Sequence, residues 1–228
     1  DHRDLHSFPT RRSSDLTFFG NTLRPQTYVG NQIVNGVYGL LEYNLSPKFR
    51  VMVGSRFEHV YQSVEYLTSE DPVGGEGDFS EMNILPSLSI RYAVNDKNNI
   101  RFAASKTYVL PQFTEMALFL FEGITETAVG NPKIYLSKVY NIDLKWEMFP
   151  NPGELFSVTP FGKYIIDPMN KFVMTGAAND FTYANTGDWA YIYGIEMEIK
   201  KDILNINTTN GIGRFFGSAN FTLMKTLQ

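Results

Sequence analysis

The residues able to do chemistry are few. Of three histidines, His2 and His6 fall in an N-terminal arm, which leaves His59, on an alternating segment beside Glu58 and Arg56. A lone histidine flanked by an acid and a base is more often a polar strand residue than a general base or a metal ligand. The chain has no cysteine, which excludes disulfide frameworks, thiolate metal sites and thiol catalysis. No His, Asp and Glu fall at metal-ligand spacing. The run "VGGEGD" (Val73–Asp78) is glycine-rich but lacks the Lys-Ser/Thr ending and following helix of a phosphate-binding loop. It is expected to be a loop tip, made acidic by Glu70, Asp71, Glu76 and Asp78. Nothing here constitutes an active site, and the expectation is that the chain is not an enzyme and needs no cofactor.

What remains is a face. From Tyr140 to Met148, Tyr140, Ile142, Leu144, Trp146 and Met148 alternate with Asn141, Asp143, Lys145 and Glu147. A period of two places each set on one side of a strand. Ser157, Thr159 and Lys163 repeat the polar pattern on the next segment, and Glu196, Glu198 and Lys200 repeat it further on. Interleaved signs of this kind suit cross-strand ion pairs in a wet interior. Asn141, Asp143, Lys145, Glu147, Glu196 and Glu198 are therefore the candidate interior-lining residues. Elsewhere "MALFLFEG" (Met116–Gly123) puts apolar side chains into a long connection, where loop self-packing competes with a ligand-contacting patch. Phe119, Phe121, Glu122 and Asn131 are the loop candidates for ligand contact.

The elements that must carry these faces are strands. Alternating segments run at about 32–45, 49–66, 82–95, 100–108, 138–149, 155–166, 187–201 and 214–225, and the one helical candidate is the short loop segment Pro111–Phe119. No helix is long enough to cover a sheet, so the apolar face needs a second sheet or lipid. Connections decide between them. Turns at 46–48, 95–99 and 150–154 are short and rich in turn formers, whereas 67–81, 109–137 and 167–186 are long. A sandwich has no reason to sort its connections by length, but an outer-membrane barrel has short turns at one end and long loops at the other. The 202–213 connection is longer than the other turns and fits less well. Tyr43, Phe49, Phe149, Tyr108, Trp189 and Tyr191 lie near strand ends, as interfacial girdles require. The expected fold is all-β: an antiparallel transmembrane β-barrel fragment of about eight up-and-down strands forming a curved open sheet, with one short loop helix. A mean hydropathy of −0.20 is compatible, since polar-interior strands average out. A pI near 5.4 with dispersed charge excludes the basic stripe of a nucleic-acid binder.

Residues 1–16, "DHRDLHSFPTRRSSDL", show no apolar period, and their three arginines and three aspartates cancel. The segment resembles, codon for codon, the translation of a common sequencing adapter. It is expected to be non-native, which leaves 17–228 as a partial barrel domain cut at both ends.

Taken in order, "LPSLSIRYAVNDKNNIRFAASKT", "LPQFTEM", "GNP", "NIDLKWEMFPNPGELFSV", "FGKYIIDP" and "YANTGDWAYIYGIEMEI" resemble the C-terminal barrel portion of TonB-dependent outer-membrane receptors of the Bacteroidetes type. Two positions depart from that pattern: Leu110 stands where an arginine is usual, and Gly162 where an aromatic is usual. The resemblance implies a plugged barrel in the outer membrane of a Gram-negative bacterium. It implies energised import of a scarce ligand (siderophore, vitamin, glycan or peptide). The implied partners are outer-membrane lipid, the receptor's own plug domain, the TonB complex acting through that plug, and a surface lipoprotein. A passive outer-membrane channel or structural barrel is the alternative.

Overall fold

The computed structural model describes residues 17–18, 21–22, 27–68, 71–122, 126–174, 180–208 and 211–228. The segment 1–16 lies outside them. Eight long strands dominate: β1 (Thr27–Ser46), β2 (Phe49–Leu67), β3 (Gly75–Asn95), β4 (Asn98–Val109), β5 (Ser137–Met148), β6 (Leu155–Ile166), β7 (Trp189–Thr208) and β8 (Gly211–Leu227). Each pairs antiparallel with its sequence neighbours in one sheet of order β8-β7-β6-β5-β4-β3-β2-β1. This is the expected up-and-down sheet.

The strands form because β-branched and aromatic residues alternate with polar ones, and local side chains make the turns. In the β3–β4 turn, Asn95 Oδ1 accepts from the Lys97 N–H and from Asn98 Nδ2, each at 2.9 Å, fixing a tight Asx-type reversal. In the β5–β6 turn Gly153 takes φ +91°, a conformation that side chains resist. β7 and β8 pair as far as Thr208↔Gly211. The long 202–213 connection expected from the sequence is thus a hairpin with only residues 209–210 between its strands. The alternation there is broken by a bulge between Asp202 and Leu204, which hides the period.

The glycine-rich run is also corrected. Gly75–Asp78 belongs to β3 and pairs with Glu65, Tyr66, Val64 and Ser63 of β2. Its glycines serve close packing: a Cβ at Gly77 would lie 2.8 Å from Pro132 Cβ, and one at Gly75 would lie 2.6 Å from the Tyr66 hydroxyl.

One face of the sheet is apolar and open. Val53, Ile84, Ile142, Leu144, Tyr193, Ile199 and Leu223 are each between 46% and 63% exposed, far more than apolar side chains in a water-facing sheet tolerate as a contiguous field. An aromatic row crosses this face near the long-loop end, where Tyr140 pairs with Tyr164 and Tyr164 with Tyr191. The Tyr164 and Tyr191 rings lie 4.9 Å apart, as do those of Tyr191 and Trp189. A second group, Phe49 with Tyr92 and Trp146 with Phe156, marks the short-turn end. Of the aromatics expected at strand ends, Phe49, Trp189 and Tyr191 fall in these two groups, and Tyr43, 67% exposed, stands opposite Val51. Tyr108 and Phe149 fall in neither group: Tyr108 donates to Glu58, and Phe149 lines a cationic cavity.

The long connections are structured. A single-turn helix, α1 (Phe113–Met116), starts where the Gln112 N–H donates to Glu115 Oε2 at 2.8 Å. Strands Leu120–Glu122, Thr127–Val129, Asp180–Asn185 and Met169–Val173 form a second small sheet that joins the two connections, with 180–182 parallel to 127–129. Met116, Ala117 and Ile134 of this layer bury against Val64 of β2, all at 2% exposure or less. Burying side chains the size of Val64, Met116 and Ile134 stabilises by about 1.5–3 kcal/mol each, and the Ala117 methyl by less. The layer packs on the polar side of the sheet as a cap.

Candidate functional site

The polar face is built by register. Arg50 of β2 stands directly opposite Arg91 of β3, Arg91 opposite Arg101 of β4, and Arg101 opposite Lys145 of β5. Four cations thus cross four strands at one level near the short-turn end. Glu42 lies 3.3 Å from Arg50, and Asn44 Oδ1 accepts from Arg50 Nε at 2.9 Å. Glu147, 7% exposed, accepts from Arg101 Nε at 2.7 Å and lies 3.7 Å from Lys145. Lys145 reaches past β6 to Glu198 at 3.8 Å.

Of the residues expected to line the interior, Lys145, Glu147 and Glu198 therefore meet in one network. Lys145 and Glu198 also line a cavity of about 240 Å³, which Glu196 rims with Ser157, Thr159, Asn220 and Thr222. Asn141 is tied to β4, with Nδ2 donating to Thr107 Oγ1 at 3.2 Å. Asp143 stands apart, opposite Ala103 on one side and Phe161 on the other. Higher on the same face Glu58, 6% exposed, receives the Tyr108 hydroxyl at 2.5 Å and the Arg56 guanidinium. His59 points the other way, its Nε2 2.8 Å from Ser80 Oγ. Its sequence neighbours Glu58 and Arg56 share none of its surroundings.

The cap is held on this face by a row of small residues that only register reveals. Gly30 pairs with Val64 and Val64 with Gly77, and the Phe113 ring rests on Gly30 while Pro132 rests on Gly77. Gln62, 1% exposed, donates to the Pro111 carbonyl at 2.8 Å. Two asparagines clip the connections together. Asn185 exchanges two 3.0 Å bonds with the Tyr135 backbone, and Asn131 donates to the Tyr183 carbonyl at 2.8 Å while its Oδ1 accepts from the Lys133 N–H at 3.0 Å. Phe119 packs on the cap core, edge-on to Tyr28 at 5.9 Å and 4.5 Å from Phe121. Phe121 is 37% exposed. The Glu122 side chain lies outside the described residues. Above the aromatic row, Lys138 Nζ is 2.7 Å from Glu81, whose carboxylate raises the pKa of the ammonium.

An eight-stranded up-and-down sheet with an exposed apolar face, a charged opposite face and a folded loop cap matches the family model "TonB dependent receptor-like, beta-barrel" over residues 2–227. The chain belongs to that family. As a TonB-dependent receptor-like barrel it is similar in fold to the ferric yersiniabactin uptake receptor FyuA from Yersinia pestis, with TM-score 0.63 and 18% identity over 90% of this chain and 28% of that one. It is similar also to a double mutant of the Serratia marcescens hemophore receptor HasR, solved with its hemophore HasA and heme. There the TM-score is 0.64 and the identity 13%, over 86% of this chain and 34% of that chain. The siderophore receptor PirA from Pseudomonas aeruginosa gives 0.51 at 15% identity, over 86% and 41% of the two chains. The barrel segment described here thus spans well under half of each, and at these identities the likeness is one of fold. No curated protein sequence matches the chain. Among the described residues no group of three His, Cys, Asp or Glu side chains is arranged to hold a metal ion.

Proposed function

We propose that this chain forms part of the wall of an outer-membrane receptor that imports a scarce ligand with energy from the TonB complex. Its apolar face contacts outer-membrane lipid, and its polar face lines a lumen. The observation that supports the reading is the cap: the long connections pack inward over the polar face, on Gly30, Val64 and Gly77. Backbone groups in hydrocarbon must all be paired, so the sheet's two edge strands pair with further strands of a closed wall. Residues 17–228 are the barrel part and 1–16 are not native. Phe119, Phe121, Glu122 and Asn131 belong to the loop layer nearest an incoming ligand, and Asn141, Asp143, Lys145, Glu147, Glu196 and Glu198 face the plug. A surface lipoprotein over the loops fits the same arrangement. The chemistry is transport, not catalysis.

Recovering the gene upstream of Thr17 tests this. A signal peptide followed by a plug domain, a TonB-contacting segment and more barrel strands is the expected result. A signal peptide leading straight into strands replaces the energised receptor with a passive barrel.

A further inference from the structure

The cationic row has an unbalanced member. Directly opposed residues on neighbouring strands have Cα atoms about 4.5–5.5 Å apart, and like charges so placed repel. Arg50, Arg101 and Lys145 each have a carboxylate within 4 Å in Glu42, Glu147 and Glu198. Arg91, between Arg50 and Arg101, has none among the described residues. Its Nη2 makes a long 3.4 Å contact to Asn99 Oδ1, and its Nε is buried without any acceptor. A buried, unpaired guanidinium donor is costly, and here two flanking arginines add to the cost.

The space beside Arg91 is built to receive something. A cavity of about 530 Å³ opens there, lined by Lys48, Arg91, Asn95, Asp96, Asn99 and Arg101, with Phe149 as an apolar wall. Arg101 is already neutralised by Glu147, and Lys48 and Arg91 against Asp96 still leave the cavity net positive. A guanidinium presents its N–H groups as a planar fork that matches two oxygens of one oxyanion. We infer that this cavity, at the short-turn end of the polar face, binds a carboxylate or phosphate oxyanion on the fork of Arg91, with Lys48 adding a second positive charge. The volume admits a headgroup together with part of the molecule that bears it. The inference rests on the reading of the polar face as a lumen, reached from within.

The test uses the complete receptor folded in detergent micelles, with its heat-modifiable gel mobility as the unfolding readout. Midpoints are compared in citrate and in chloride at equal ionic strength, for the wild type, Arg91→Met and Arg91→Gln. For a free oxyanion, citrate raises the wild-type midpoint by about 2–4 °C and leaves both variants unmoved. In chloride the variants are then at least as stable as the wild type, because a repelling charge is gone. If an acidic side chain within the lumen supplies the oxyanion, citrate is inert and both variants unfold several degrees lower in chloride. Two results overturn the inference: an equal citrate response in all three proteins, or an inert citrate with variants no less stable than wild type. Absence of any heat-modifiable form is a separate result that removes the barrel reading itself.

Discussion

Tyr108 and Arg56 converge on Glu58, a carboxylate 6% exposed on the polar face. Removing one partner of a buried charged group leaves it under-satisfied, at a cost of about 1–3 kcal/mol. Tyr108→Phe is therefore expected to lower the unfolding midpoint of the micelle-folded receptor, whereas Tyr61→Phe, on the other face of β2, leaves it unchanged. Lys138 makes a pH-dependent contribution at the loop end. Its folded-state pKa is raised, chiefly by the hydrogen bond to Glu81. Stability from such a group is fully present below the unfolded lysine pKa and is lost as pH rises through the higher folded value. The stability difference between wild type and Lys138→Met should stay flat from neutral pH to mildly alkaline pH and disappear only above the ordinary lysine range. A difference already gone at pH 9 would refute the pairing. Each partner is about a third exposed, so the effect is small.

At the scale of elements, cap and sheet meet through glycine. A Cβ at Gly30 would strike the Phe113 ring, and one at Gly77 would sit 2.8–3.0 Å from Pro132. Overpacking of this kind costs about 1–3 kcal/mol where the neighbour cannot shift. Gly30→Ala and Gly77→Ala are expected to loosen the cap and leave the strands paired. Hydrogen exchange should rise across 110–136 while β5, β6 and β7 keep their protection. Uniform loss of protection through the sheet would mean that cap and wall unfold together.

For the whole molecule, charge reversal separates wall from plug. Glu147 is bonded to Arg101, so reversing it damages the wall itself. Asp143, opposite Ala103 and Phe161, is the cleaner probe. Asp143→Lys should loosen plug seating and raise passive antibiotic leakage through the outer membrane, with heat-modifiable mobility intact; unchanged leakage counts against a plug-facing role. The isolated chain has a different fate. Among the described residues β1 and β8 each pair on one side only and present long unpaired edges with an exposed apolar face. Expressed alone, it should aggregate, and a monodisperse detergent-soluble monomer would contradict this.

The period-two pattern places most of the strands and their two faces without tertiary information, and the sorting of connection lengths points from there to a barrel. Alternation is a local property, and connection lengths are read from where it starts and stops. Asn141, Asp143, Lys145 and Glu147 are assigned to one face for the same reason. Where the period was interrupted the sequence misled: at the β7–β8 bulge, at the glycine-rich start of β3, and in the connections that form the small sheet. Tyr108 and Phe149 looked like girdle residues because position near a strand end says nothing of the side chain's direction there. The cap seat at Gly30, Val64 and Gly77 and the row Arg50–Arg91–Arg101–Lys145 join residues between 10 and 44 positions apart in the chain. Only the register of strand on strand brings them to one level. That register depends on turn lengths and bulges acting together, so opposition, and with it charge balance, belongs to the tertiary structure alone.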